Sequence, residues 1–423
     1  MAELLFVVGV LVAVFVGFNI GGSSTGVAFG PAVGSRIVRK ATAGALFTVF
    51  AFLGAWTVGR NVIDTMSSQI VEASAFTPET SVIVLFFTGL SLLISNTYGV
   101  PASTSMTAVG AIVGLGLATG TLDAALMFTI LSAWIVAPLI AVVIGIVVGR
   151  YLYPYLDAKL AFGRLNDPLV AVDSSGAIPR PTINDNAASR DLGGALLVVA
   201  IACYMGFSAG ASNAANAVAP LVGNDTIAAS PAILLAVGAI SLGGFTIARR
   251  TLDTVGDDIT ELPILAALIV STVGATIISV LSWLGIPASL AVSTTSCIIG
   301  LGWGRASRVK TLSEMAVPPV GEHGESEKPP TEMTTGALAA SPTDEDDDTP
   351  ASPTVGELAE DETPDPDEQV ADGGVAPIGE EEPDELSAES LFDPAATARI
   401  VSLWVITPTV SLVGAYLVFL LVT

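Results

Sequence analysis

Histidine and cysteine are almost missing from this chain. Its one histidine, His323, lies in a polar stretch, which argues against a histidine-based metal site or proton relay. Cys203 and Cys297 both fall inside apolar runs, so a disulfide framework has no support. Charged residues make up 13% of the 423 residues and aromatics 6%. An enzyme embedded in the bilayer would need a nucleophile–base pair or a metal cluster, and the apolar segments offer neither. No cofactor and no nucleic-acid partner are expected. An anion channel would need a continuous pore lined by cationic side chains, and those too are missing.

What the chain has in quantity is apolar length. It is 52% hydrophobic, with a mean hydropathy of +0.71. Apolar segments lie at about 4–33, 41–62, 81–120, 125–151, 192–222, 229–248, 262–303 and 397–422. A helix needs about 20 apolar residues to cross the hydrocarbon, so this is a multi-pass membrane protein. The opening MAELLFVV has no basic n-region, and reads as a first membrane helix rather than a cleaved signal.

The net charge of -24 comes from one place. Residues 311–395 hold 25 of the 40 acidic residues beside a single basic one, Lys328, leaving 15 acidic and 15 basic residues elsewhere. This stretch is also rich in Pro, Ser, Thr and Gly. It cannot bury enough apolar area to offset its ordering entropy, and is expected to be a disordered, solvated linker.

Segments 81–120 and 262–303 are too long for one crossing, and each is interrupted: NTYGVPASTS at 96–105 and GIPASLAVSTTS at 285–296. Each is expected to form a pair of half-helices or a re-entrant hairpin. Basic residues orient the rest: Arg36, Arg39 and Lys40; Arg150, Lys159, Arg164, Arg180 and Arg190; Arg249 and Arg250; Arg305, Arg308 and Lys310. The positive-inside rule makes those loops cytoplasmic. The loop at 63–80, with Asp64, Glu72, Glu79 and no Lys or Arg, falls outside, with Arg60 as a mild dissent. Both termini then face outward and the acidic linker is cytoplasmic.

The chain also echoes itself. GVPASTSMTAVGAIVGLG at 99–116 resembles GIPASLAVSTTSCIIGLG at 285–302. SAWIVAPLIAV at 132–142 resembles SLWVITPTVSL at 402–412, and FNIGGSSTGVAFGPAVG at 18–34 resembles FSAGASNAANAVAPLVG at 207–223. The halves start on opposite sides, so they form inverted-topology repeats, a transporter signature. The expected organisation is a first transmembrane repeat at 1–160, a cytoplasmic connector at 161–190, a second repeat at 191–304, an acidic cytoplasmic linker at 305–395 and the final helix at 396–423. The fold class is all-α and polytopic, with broken helices.

Polar breaks at membrane depth survive only when they are buried in protein or line a cavity. Four are expected: Ser23, Ser24 and Thr25 after Gly21 and Gly22; Ser103, Thr104 and Ser105; Ser212, Asn213 and Asn216; and Ser293, Thr294 and Thr295. Gly21, Gly22 and Gly26 would let the first unwind. A helix restarting after such a break offers unpaired N–H groups and the positive end of its dipole. Hydroxyls and amides add further donors. Four half-helix ends meeting at the midplane would make an oxyanion cage. For any single cluster, close helix packing explains small and hydroxyl residues as well.

These residues resemble the PiT (Pho4-type) inorganic phosphate transporters, whose halves each carry a GANDVAN-like and a PVSTTH-like motif. GASNAANAVAPLVG at 210–223 and GGSSTGVAFGPAVGS at 21–35 are similar to the first; PASTSMTAVGAIVG at 101–114 and VSTTSCIIG at 292–300 are similar to the second. The resemblance covers nearly everything except the acidic linker. It implies an inverted-repeat symporter for a tetrahedral oxyanion, usually phosphate, coupled to sodium or protons and assembled as a homodimer in the lipid bilayer. The departures are specific. The family's Asn-Asp pair falls on Ser23 and Ser24 and on Ser212 and Asn213, so both aspartates are gone. Its later Asn is Asn216 in one repeat and Val27 in the other, and its histidines fall on Met106 and Ser296. A site without carboxylates loses its natural cation ligands, and sulfate becomes the alternative substrate.

Overall fold

The computed structural model describes residues 2–35, 37–97, 103–160, 170–173, 180–183, 189–246, 264–316 and 394–422. Their helices are α1 (Ala2–Gly34), α2 (Lys40–Trp56), α3 (Gly59–Asp64), α4 (Pro78–Thr97), α5 (Thr104–Thr119), α6 (Ala124–Val147), α7 (Tyr153–Leu160), α8 (Ser189–Gly223), α9 (Ala229–Thr246), α10 (Ile264–Trp283), α11 (Leu290–Ala316) and α12 (Pro394–Val422). Seven of the helices described are long and apolar enough to cross a membrane, or eight if a bent pair counts as one span. Among the described residues, the strands are a short antiparallel pair in the 161–190 connector, β1 (Val170–Asp173) with β2 (Arg180–Ile183), in which Val170 faces Ile183.

Two compact units result. The first takes residues 1–309 and 381–423, and the second residues 310–380. In the second, the described residues 310–316 are helical. The acidic residues at 317–393 lie outside the described part. α11 continues to Ala316, past residue 304 where the sequence reading ended that part of the second repeat.

Two of the four expected breaks are not breaks. α1 runs for 33 residues straight through Gly21, Gly22, Ser23, Ser24 and Thr25, and α8 runs for 35 residues through Ser212, Asn213 and Asn216. The reason is the cost of an unpaired backbone at depth. An unbroken helix satisfies every N–H internally, whereas unwinding would orphan several. The hydroxyls fit without unwinding, as Ser23 Oγ donates back to the Ile20 carbonyl at 3.1 Å.

The glycines there serve close approach instead. A side chain at Gly21 would collide with the carbonyl oxygen of Ile240 on α9, and one at Gly210 with that of Ala51 on α2. Gly54 meets the carbonyl of Phe207 and Gly243 that of Phe18 in the same way. Residues 18, 21, 51 and 54 become 207, 210, 240 and 243 when 189 is added, so the α1–α9 and α2–α8 crossings match residue for residue. Likewise Gly114 of α5 lies against the Leu412 carbonyl of α12, and Gly300 of α11 against the Val142 carbonyl of α6.

The other two breaks are real. α4 ends at Thr97, and α5 begins at Thr104 with Ser103 as its cap, Ser103 Oγ accepting from the Met106 N–H at 3.4 Å. Residues 98–102 lie outside the described part. α10 stops in a Schellman arrangement: Ile286 N–H donates to the Leu281 carbonyl at 2.8 Å and Gly285 N–H to that of Ser282 at 3.0 Å. Gly285 takes the left-handed conformation this requires, with φ +76°, and Pro287 two residues later forbids helix. α11 then restarts behind Ser289, whose Oγ accepts from the Val292 N–H at 3.3 Å.

α2 and the helical stretch Gly59–Gln69 that opens with α3 are bent by 61°, inside what the sequence shows as one apolar segment at 41–62. The bend removes the helical partner of the Trp56 carbonyl, and Arg60 Nε supplies a replacement at 2.9 Å. The same guanidinium stacks 4.4 Å from the Trp56 ring and donates to Ser230 Oγ at 3.0 Å. On the outside, α6 exposes Phe128, Ile135, Leu139 and Val143, and α12 exposes Val405, Leu417 and Leu421. Apolar surface of that extent is what a lipid-facing wall needs.

Candidate functional site

The restarted N-termini of α5 and α11 meet the middles of α1 and α8. Together they form a half-open cavity of about 30 Å³ lined by Ser23, Ser24, Val27, Thr104, Asn213, Ser289, Leu290 and Ala291. That volume is more than enough to admit a water. None of these lining residues is ionisable.

A hydrogen-bonded network surrounds the cavity. Thr104 Oγ1 donates to Asn213 Oδ1 at 2.6 Å. Asn213 Nδ2 donates across to Ser24 Oγ of α1 at 3.1 Å. Asn216 Nδ2 reaches Ser105 Oγ at 3.1 Å, Asn213 Oδ1 at 3.2 Å and Thr104 Oγ1 at 3.3 Å. Ser105 Oγ and Ser212 Oγ both donate to the Ala288 carbonyl, at 2.9 and 2.7 Å, and lie 3.1 Å from each other. The neighbouring Pro287 carbonyl accepts from Trp134 Nε1 at 2.7 Å. The tip between α10 and α11 is thereby held to α5, α6 and α8.

Around this ring the donors outnumber what the protein consumes. Ser24 accepts from Asn213, and its own proton is available. The first N–H groups of α5 and α11 have no helical partner, and those of Leu290 and Ala291 belong to residues that line the cavity. Two helix dipoles present their positive ends at the same place. A small anion without protein carboxylates beside it is the chemistry such a site can hold. Asn216 Oδ1 is buried without a partner, an uncompensated acceptor in the same ring.

Of the residues singled out in the sequence, the structure brings together Ser23, Ser24, Thr104, Ser105, Ser212, Asn213 and Asn216, with Ser103 capping α5. Four others sit elsewhere. Thr294 Oγ1 donates to the Leu290 carbonyl of its own helix at 3.0 Å, and its methyl packs on Gly274 of α10. Ser293 and Thr295 flank it one turn beyond the helix start. Thr25 is fully buried with its hydroxyl unpartnered, facing Gly244 of α9 rather than the cavity. The four converging half-helix ends are therefore two half-helix ends and two helix middles.

Sequence reasoning missed Ser289, Leu290 and Ala291. The signal was present in the echo itself, because GVPAS aligned with GIPAS without a gap puts Ser289 opposite Ser103. The richer hydroxyl run four residues on drew the assignment away.

Comparison with known proteins follows the same lines. The model of the phosphate transporter family matches residues 20–318. The chain is similar to a sulfate permease of Bacillus subtilis, with 31% identity over 297 residues, 70% of this chain and 77% of that protein. It is similar to a chloroplastic inorganic phosphate transporter of Arabidopsis thaliana, with 24% identity over 406 residues, 74% of this chain and 69% of that one. Among solved structures it shares the fold of a sodium-dependent phosphate transporter, with a TM-score of 0.56 and 20% identity, over 74% of this chain and 92% of that one.

Proposed function

The chain belongs to the phosphate transporter family, and on that premise we propose that it is a secondary active permease carrying inorganic phosphate across the cell membrane. The observation that carries this reading is the cavity where two half-helix N-termini meet the middles of two continuous helices. The anion is held there by Ser24, Thr104, Ser105 and Asn213 and by the opening N–H groups of α5 and α11. Without the anion, Thr104, Ser105 and Asn213 spend their protons on protein acceptors, whereas the Ser24 hydroxyl and the opening N–H groups are unspent. An entering oxyanion takes over their protons, so binding exchanges neutral hydrogen bonds for charge-assisted ones, which are about twice as strong. That gain is available to drive a change of shape.

The matched crossings at a separation of 189 residues support an organisation in two inverted repeats, 1–160 and 191–304 completed by 396–423. Moving one repeat against the other would open the cavity to alternate sides. The clusters of Arg and Lys support cytoplasmic 161–190 and 305–395 segments and outward-facing termini. Symport with sodium or protons and a homodimeric state are part of the reading, both implied by the family resemblance. The family is one of transporters, and the reading assigns no catalytic step.

A second reading, sulfate as substrate, has a specific observation behind it. No cavity-lining residue is a carboxylate or a histidine, so nothing there is suited to accept the proton that phosphate carries near neutral pH. The relative from Bacillus subtilis is a sulfate permease. Uptake of labelled phosphate and sulfate into proteoliposomes, with and without sodium and pH gradients, decides between them. Uptake of neither anion would refute both.

A further inference from the structure

The two halves of the cavity are unequal, and we propose that Leu290, with Val27 and Ala291, keeps one half weak so that the bound anion can leave. This rests on the transport reading above. The separation of 189 residues pairs Ser24 with Asn213 and Val27 with Asn216. The aligned tips pair Ser103 with Ser289, Thr104 with Leu290 and Ser105 with Ala291. On one side stand α8 with α5, whose Asn213 and Thr104 line the cavity and whose Asn216 and Ser105 join them in the hydrogen-bonded network. Its counterpart is α1 with α11, bearing Ser24, Val27, Leu290 and Ala291.

The first half is tied together by side-chain hydrogen bonds at 2.6 to 3.3 Å. In the second, three of the four matching positions have no polar side-chain atom. Val27, Leu290 and Ala291 nevertheless all line the cavity, so they border the space proposed for the anion. Leu290 is 9% exposed, nearly as buried as Thr104 at 8%. Leu290 and Thr104 thus match in position and burial and differ in chemistry.

The consequence is directional. Parting α5 from α8 must break several buried hydrogen bonds. Val27 and Leu290 carry no polar side-chain atom, so parting α1 from α11 there breaks no side-chain hydrogen bond between them, and any apolar contact is weak per atom pair. The anion is therefore gripped by the α5–α8 wall and released along the α1–α11 seam. Two fully polar halves would bind it more tightly and let it go more slowly. A transporter gains nothing from ground-state affinity that must be undone in each cycle.

The test compares Leu290→Thr with Leu290→Val in the full-length protein. The two substitutions have nearly the same shape and differ by one hydroxyl, which in Leu290→Thr would face Ser24 as Thr104 faces Asn213. Binding of labelled phosphate and of labelled sulfate is measured on purified protein, and turnover at saturating anion in proteoliposomes. Leu290→Thr is expected to bind its anion about tenfold more tightly than Leu290→Val and to turn over more slowly by a similar factor. Ala291→Ser, a smaller change, should move both quantities the same way, and it decides the matter if the Leu290 variants do not fold. Equal affinity in Leu290→Thr and Leu290→Val, or tighter binding with undiminished turnover, would overturn the proposal while leaving the transport reading intact. Failure of the unmodified protein to bind either anion would remove the transport reading, and the proposal with it.

Discussion

Thr104→Val separates a binding hydroxyl from a packing one. Thr104 Oγ1 donates to Asn213 Oδ1 at 2.6 Å, accepts from Asn216 Nδ2 at 3.3 Å and borders the cavity. Valine preserves the shape and deletes the hydroxyl. With no anion bound the loss is small, because each former partner keeps another contact: Asn213 Oδ1 and Asn216 Nδ2 still meet each other at 3.2 Å, and Asn216 Nδ2 still reaches Ser105 Oγ at 3.1 Å. The stability cost is then about 1 kcal/mol, a fall in Tm of at most about 2–4 °C. With the anion bound, a donor to a charged group is lost, worth about 1.5–3 kcal/mol, or roughly a tenfold to hundredfold weaker Kd. Thr294→Val is the internal control. The Thr294 hydroxyl is spent on its own helix at the Leu290 carbonyl, and valine retains the methyl on Gly274, so affinity should stay as in the unmodified protein. Labelled-anion binding and uptake in proteoliposomes, with melting curves beside them, give both quantities. Unmodified affinity in Thr104→Val, or an equal loss in Thr294→Val, would refute the placement of the site.

Gly210→Leu should fail to assemble and Gly210→Ala should cost about 1–3 kcal/mol or more, since any side chain there meets the Ala51 carbonyl; size-exclusion profiles and melting curves check this. No cavity-lining side chain titrates between about pH 5 and 8, so Kd for sulfate should be flat across that range, and a tenfold change would point to an ionisable group in contact with the anion. Deleting residues 325–388 should leave membrane assembly and uptake intact, because that acidic, Pro-rich sequence has little apolar area to pack; loss of assembly would show otherwise. A cysteine introduced by Ser341→Cys should resist a membrane-impermeant thiol reagent added outside sealed cells, and labelling there would invert the orientation.

Much of this was readable from the chain itself. The spans follow from runs of apolar residues, because hydrocarbon admits only backbone that satisfies its own hydrogen bonds. Where α10 stops and α11 restarts was legible in GIPAS, since Gly285 alone tolerates the left-handed turn and Pro287 cannot continue a helix. That Ser24, Asn213 and Thr104 need polar partners was legible from their place in segments where polar residues are expensive, and the fold hydrogen-bonds them to one another. Three things were decided only in three dimensions. Gly21 and Gly210 could equally mark an unwound chain or a close helix crossing, and the choice depends on whether another helix's carbonyl lies opposite. Thr294 and Thr104 are both threonines near the start of half-helices, yet one points at a glycine of α10 and the other at Asn213, a difference of facing set by the turn on which the helix restarts. The unequal halves of the cavity needed both facts together. The echo pairs Leu290 with Thr104, but only the fold shows that the two line one cavity.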